Sequence, residues 1–146
     1  MFQRTVHPHR ANRAGGHRPP WRLLVESAEA GTAISNFDAF RRAGFDVTTC
    51  EGPAADAREC PVVRGEACPL VDEADVVLFD GDGDPRVRAR LLAALRTRRP
   101  HLPIVVRSAA AIPEAVDCAT LRPTTSVGGQ VSALRKAVLQ WPSRQA

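Results

Sequence analysis

Residues Ala74–Asp84 read ADVVLFDGDGD. Val76, Val77, Leu78 and Phe79 form a short apolar run, β-branched at its start, which describes a strand buried on both faces. The run stops in three aspartates at alternate positions, Asp80, Asp82 and Asp84, separated by Gly81 and Gly83. A strand of this kind belongs to a parallel sheet with helices on either side, and the carboxyl ends of such strands are where ligands and chemistry sit. Asp80 directly abuts the apolar run, which makes it the candidate site residue. Asp82 and Asp84 lie in a DGDGDP sequence whose Gly, Asp and Pro also suit a turn and a helix N-cap.

Downstream, Pro85 opens a helix to about Arg98, with Val87, Leu91, Leu92 and Leu95 on one face. Ile104-Val105-Val106 is the next strand and runs into Arg107-Ser108. Ala109–Val116 fits one or two turns around Pro113, Ala119–Leu121 a short strand ending in Arg122-Pro123, and Val127–Gln140 a final helix with Val131, Leu134 and Val138 inward. Upstream, Trp21–Val25 is a strand running into Glu26-Ser27. A helix at Thr32–Ala43 buries Ile34, Phe37 and Phe40 and stops at Gly44. Asp46–Cys50 is short and more polar, as an edge strand is. Gly52–Glu73 reads as irregular: Cys60-Pro61-Val62-Val63 is echoed by Cys68-Pro69-Leu70-Val71, and prolines break any long helix, leaving room for a turn or two at Ala54–Glu59. Strands alternating with helices predict an α/β, doubly wound, flavodoxin-like sheet of five parallel strands in the order 2-1-3-4-5, with a Cys/Pro loop in place of the second helix.

With 146 residues, the chain has the length of one domain. That domain is expected at residues 21–141, after a disordered tail over 1–20 and before a short tail at 142–146. Of its 20 basic residues 19 are Arg, and Lys136 is the only Lys, a skew that points to a high-GC bacterial genome. Residues 1–22 carry five Arg and no acid, so most of the net charge of +4 belongs to the tail. His7, His9 and His17 in that tail read as solvated side chains, and the tail as a basic extension rather than a nucleic-acid arm. No apolar run reaches membrane-spanning length and no signal peptide is visible, so a cytoplasmic protein is expected. Cys50, Cys60, Cys68 and Cys118 match no zinc spacing, and free thiols are expected. Cys60 and Cys68 are the redox candidates, with both CP segments pinning the loop to the sheet through Val62, Val63, Leu70 and Val71.

Taken together, LLVES, VVLFDGDGDP, PIVVRSA and the LRP before the last helix give the region Trp21–Gln140 a pattern that resembles the receiver domain of bacterial two-component response regulators. The resemblance implies an acidic pair after strand one and a phosphoacceptor aspartate ending strand three, together holding Mg²⁺. It also implies a switch hydroxyl after strand four and a lysine before a proline. Carried over, Glu26 is the first acid, Asp80 the phosphoacceptor, Ser108 the switch hydroxyl and Arg122 the lysine. Glu26 and Asp80 are then the metal candidates, with Asp82 a further carboxylate for the acidic pocket. Two departures bear on chemistry. Ser27 stands where the second acid binds the metal, and a neutral hydroxyl is a poor Mg²⁺ ligand. Arg122 presents a wide planar fork in place of a compact ammonium.

Other motifs fail on context. The DxDG at Asp80–Gly83 resembles that of haloacid-dehalogenase phosphatases, which begins a much longer domain. As a calcium loop, DGDGD has Leu91 where the closing Glu belongs. No P-loop or GxGxxG is present. The expectation is a non-enzymatic, stand-alone pseudo-receiver without a cofactor, or with Mg²⁺ held weakly, that signals by binding a protein partner. The alternatives are a working Mg²⁺-dependent phosphoacceptor at Asp80 and a cysteine redox or metal sensor. The resemblance places the partner or homodimer surface on helix four, strand five and the last helix, with Trp141 beside it as an anchor.

Overall fold

The computed structural model describes residues 20–27, 36–52 and 60–140. Its elements in chain order are β1 (Trp21–Glu26), α1 (Phe37–Arg42), β2 (Phe45–Cys50), α2 (Pro69–Asp72), β3 (Val76–Asp80), α3 (Pro85–Arg98), β4 (Ile104–Arg107), β5 (Ala119–Leu121) and α4 (Val127–Leu139). The five strands form one sheet in the order β2-β1-β3-β4-β5, every pairing parallel. This is the architecture expected from the alternation of apolar runs and helical stripes. β3 lies at its centre and is buried along its whole length.

Side chains alternate across a strand, and the core divides accordingly into two layers. Leu24, Val77, Phe79, Ile104 and Val106 face α3, through Leu91, Leu92 and Leu95, and the Cys/Pro loop, through Val62 and Val71. Leu23, Val25, Val76, Leu78 and Val105 face α1 and α4, where they meet Phe40, Leu134 and Val138. The same parity runs on past the apolar residues. It sends Glu26 to the α3 side, and Ser27, Asp80 and Arg107 to the α1/α4 side.

The CP segments pack as expected: Val62 and Val71 are buried, and Val63 and Leu70 pack against that layer. One feature of this loop differs from the sequence reading. Pro69 starts the single helical turn α2, because a proline at the first helical position loses no hydrogen bond and already has helical φ. The turn proposed at 54–59, the start of the helix proposed from Thr32, Ile34, the histidines of the tail and Trp141 all lie outside the described residues.

Between β4 and β5 the chain makes turns and no helix. The partner face expected on helix four, strand five and the last helix therefore lacks its first element. Pro113, together with a left-handed Asp117 (φ 59°), breaks the segment. No described helix is long and apolar enough to cross a membrane.

Candidate functional site

At the carboxyl ends of β1, β3 and β4 the sequence turns from apolar to charged while the chain stays buried. Glu26, Ser27, Asp80, Arg107 and Ser108 are all buried. Glu26, Ser27 and Asp80 were legible as site residues. Two buried cations, Arg88 and Arg107, were not.

Arg88 lies on α3, where Leu91, Leu92 and Leu95 form the inward stripe. Position 88 falls on that stripe at the i, i+3, i+4 and i+7 spacing, and its burial there needs a partner. That partner is Glu26. Both guanidinium nitrogens donate, Nη1 to Glu26 Oε2 and Nη2 to Oε1 at 2.9 Å, while Nη1 also donates to the Asp80 carbonyl at 2.9 Å. The guanidinium lies 5.1 Å from the centre of the Phe79 ring. Burial pushes the Glu26 carboxyl above its usual range; the hydrogen bond and charge of Arg88 oppose that rise, and Asp80 adds to it. Gly52 completes this corner. Its φ of +76° favours glycine, and a Cβ there would stand 2.2 Å from Glu26 Oε1.

The second cluster is on the opposite face. Ser27 Oγ donates to Asp80 Oδ2 at 3.0 Å, Arg107 Nη2 donates to the same oxygen at 3.3 Å, and the Asp82 amide donates to Oδ1 at 3.1 Å. Parallel pairing puts Arg107 level with Asp80. Arg107 Nη1 also donates to Gln130 Oε1 on α4 at 3.3 Å, and Gln130 Nε2 donates to the Thr125 carbonyl at 3.0 Å. Asp80, Asp82, Arg107 and Gln130 line an open pocket of about 430 Å³, with Asn36 and the Pro123–Val127 turn on its other walls.

The remaining sequence candidates do not line the pocket. Asp84 is the N-cap of α3, its Oδ1 accepting from the Arg86 amide at 2.9 Å. Ser108 Oγ accepts from the Ala110 amide at 3.3 Å and packs beside Gly81, where any Cβ would stand 2.9 Å from that oxygen. Arg122, carried over as the lysine, is exposed and does not line the pocket; the cation beside Asp80 is Arg107. Glu26 does not line the pocket either.

All four cysteines are free and half-buried, with no bond between Cys60 and Cys68. Burial pushes the Cys50 thiol up to about 11, so it is protonated at neutral pH.

A magnesium ion, implied by the resemblance, does not fit these residues. Both Glu26 oxygens are taken by Arg88, and Asp80 Oδ2 already accepts from Ser27 and Arg107. Among the described residues no group of three or more His, Cys, Asp and Glu could hold a metal ion. Glu26 and Asp80 thus do not come together as ligands: strand parity sends them to opposite faces.

The sheet order and the acid-bearing carboxyl edge define the class of fold: this is the fold of the response-regulator receiver domain. Solved structures agree. A response regulator receiver domain protein from Clostridium thermocellum superposes with a TM-score of 0.65 at 18% identity, covering 84% of this chain and 98% of that one. A putative pilus assembly protein from Burkholderia thailandensis gives 0.65 at 23% identity, covering 82% and 99%. A putative pilus assembly-related protein from Burkholderia pseudomallei gives 0.64 at 20%, covering 86% and 94%. No protein-family model matches the chain, and comparison with curated proteins finds no match.

Proposed function

We propose that this chain is a pseudo-receiver: a receiver-fold signalling module that acts by contact with a partner protein, with phosphotransfer to Asp80 weak or lost. One observation carries the reading. The acids that would share a divalent ion are held apart, Glu26 bound by Arg88 on the α3 face and Asp80 by Ser27 and Arg107 on the other. Phosphoryl transfer to a carboxylate depends on a metal to neutralise the charge that develops on the phosphoryl oxygens. Here the acceptor oxygen is already engaged, and Glu26, the acid that ends β1, is spent on an arginine. What remains is a stable scaffold with a polar pocket, suited to recognition. Two of the similar structures carry pilus-assembly names, and a docking role in machinery of that kind is the partner class those names suggest. Cys60 and Cys68, the candidates of the thiol-sensor alternative, are free with no bond between them.

Incubation with acetyl phosphate and Mg²⁺, followed by intact-mass measurement, tests the reading. Little or no adduct is expected. A stoichiometric adduct that disappears in Asp80→Asn would replace the pseudo-receiver by a working phosphoacceptor.

A further inference from the structure

The failure of the site to fit a divalent ion has a specific agent. We infer that Arg107 is the pocket's resident cation, a tethered positive charge that takes the place of a metal beside Asp80 and keeps one out. The inference rests on the pseudo-receiver reading and deepens it, naming the residue that sets the pocket's ion preference.

Few charged groups reach the pocket. Glu26 and Arg88 neutralise each other on the α3 face and do not line it. On the pocket side stand two carboxylates, Asp80 and Asp82, and one buried cation, Arg107. Two carboxylates at a sheet edge, with the Ser27 hydroxyl beside Asp80, would ordinarily attract a hard cation. Arg107 supplies that charge from within the chain. Register fixes it there: parallel pairing of Asp80 with Arg107, and the shared parity of positions 105 and 107, point its side chain at the acceptor oxygen. Gln130 holds the other end of the fork. Both of these contacts are 3.3 Å long, so Arg107 is guided by several partners rather than locked by one ideal pair.

This corrects the weight the sequence places on Ser27. A hydroxyl in place of an acid lowers metal affinity, but restoring the acid leaves Arg107 in the pocket, where the new carboxylate would pair with it. Ser27→Asp alone should therefore gain little.

The experiment is a titration with Mg²⁺ of the full chain and four variants, read as heat of binding and as the shift in melting temperature with added Mg²⁺. The variants are Ser27→Asp, Arg107→Met, the double Ser27→Asp/Arg107→Met, and Ser27→Asp/Arg107→Lys. Wild type and Ser27→Asp are expected to bind weakly, and Ser27→Asp/Arg107→Met at least about tenfold more tightly than Ser27→Asp. The lysine version, which keeps a charge in the pocket, should stay near Ser27→Asp. Should the methionine double fail to fold without metal, recovery of folded circular dichroism on adding Mg²⁺ supports the inference, and no recovery overturns it. A gain of equal size in Ser27→Asp alone, or in the lysine variant, would show that Arg107 does not set the preference while leaving the pseudo-receiver reading intact. Tight Mg²⁺ binding by wild type, with Asp80 labelled by acetyl phosphate, would remove that reading as well.

Discussion

Helix α3 meets both ends of the sheet, and it carries arginines to each. Near its start Arg88 turns inward and ends on a carboxylate, buried with its partner Glu26. At its far end Arg96, Arg98 and Arg99 grip the opposite edge. Arg96 Nη1 donates to the Leu102 carbonyl at 2.7 Å, and Arg99 Nη1 to the Val71 and Ala74 carbonyls at 2.9 and 2.7 Å. Arg98 pairs with Asp72 through two bonds of 2.7 and 2.8 Å, with side chains 29% and 35% exposed against 3% and 4% for the Arg88 pair. Bond lengths alone would rank the Arg98 pair beside the Arg88 pair. Burial separates them. A guanidinium and a carboxylate in water gain little by meeting, while the same pair taken out of water depends on each other completely.

The sharpest way to break the comparison is to remove one member of the buried pair. Arg88→Met leaves Glu26 as a buried carboxylate without its cation, and Glu26→Leu leaves the guanidinium without its acid. Each is expected to cost about 3–5 kcal/mol in urea unfolding. The double Glu26→Leu/Arg88→Met removes both charges and should return close to wild type, because the pair repays little more than its own desolvation. A double no better than the worse single would mean that the pair's geometry supports something beyond charge balance, such as the Asp80 carbonyl that Arg88 also binds.

Acidity gives a second, smaller handle. The two ends carry opposite signs. Burial raises the Glu26 carboxyl, so the folded chain takes up its proton before the unfolded chain does, and acidification through that window favours folding. Asp72 is lowered, chiefly by its hydrogen bond from Arg98. Its contribution is present above the usual carboxylate range and fades as pH falls through the lowered value. Removing Arg88 also removes the influences that hold the Glu26 carboxyl down. The penalty of Arg88→Met should therefore shrink as pH falls and Glu26 takes up a proton, a trend that denaturation midpoints over a pH series would show. A penalty that stays constant or grows toward acid would mean that Glu26 in the variant remains charged or is reached by water.

Much of the fold was legible because it follows from one-dimensional rules. The run Val76–Phe79, the stripe Leu91, Leu92 and Leu95 and the punctuation by Gly44, Pro85 and Pro103 fix elements whose order leaves few topologies. Glu26, Ser27 and Asp80 were legible because each stands where an apolar run meets charge. Arg88 and Arg107 were hidden by the prior that an arginine belongs in solvent, in a chain with so many of them. The signal for Arg88 was present, since it sits on the apolar stripe of its own helix. Arg107 required the register, which pairs it with Asp80 only once β3 and β4 are aligned. Arg122 shows the converse. Its place before a proline suggested the lysine of the family pattern, but it lies just past the end of β5 and is exposed.

The smallest expected effect belongs to the exposed end. Arg98→Ala removes two short bonds, and the lowered Asp72 carboxyl shows that the two charges attract in the native state. Yet each partner is hydrated when the other is gone, the arginine regains its rotamer freedom, and salt screens whatever remains. Arg99, the next residue, still holds the Val71 and Ala74 carbonyls, so the turn after α2 keeps its anchor. The urea midpoint of Arg98→Ala should lie within error of wild type, and any difference should vanish as ionic strength rises. Arg88→Met should keep its penalty in the same salt series, because water and ions do not reach the buried carboxylate. A salt-independent loss at Arg98 comparable to that at Arg88 would make hydrogen-bond geometry, rather than burial, the quantity that separates the two ends of the sheet.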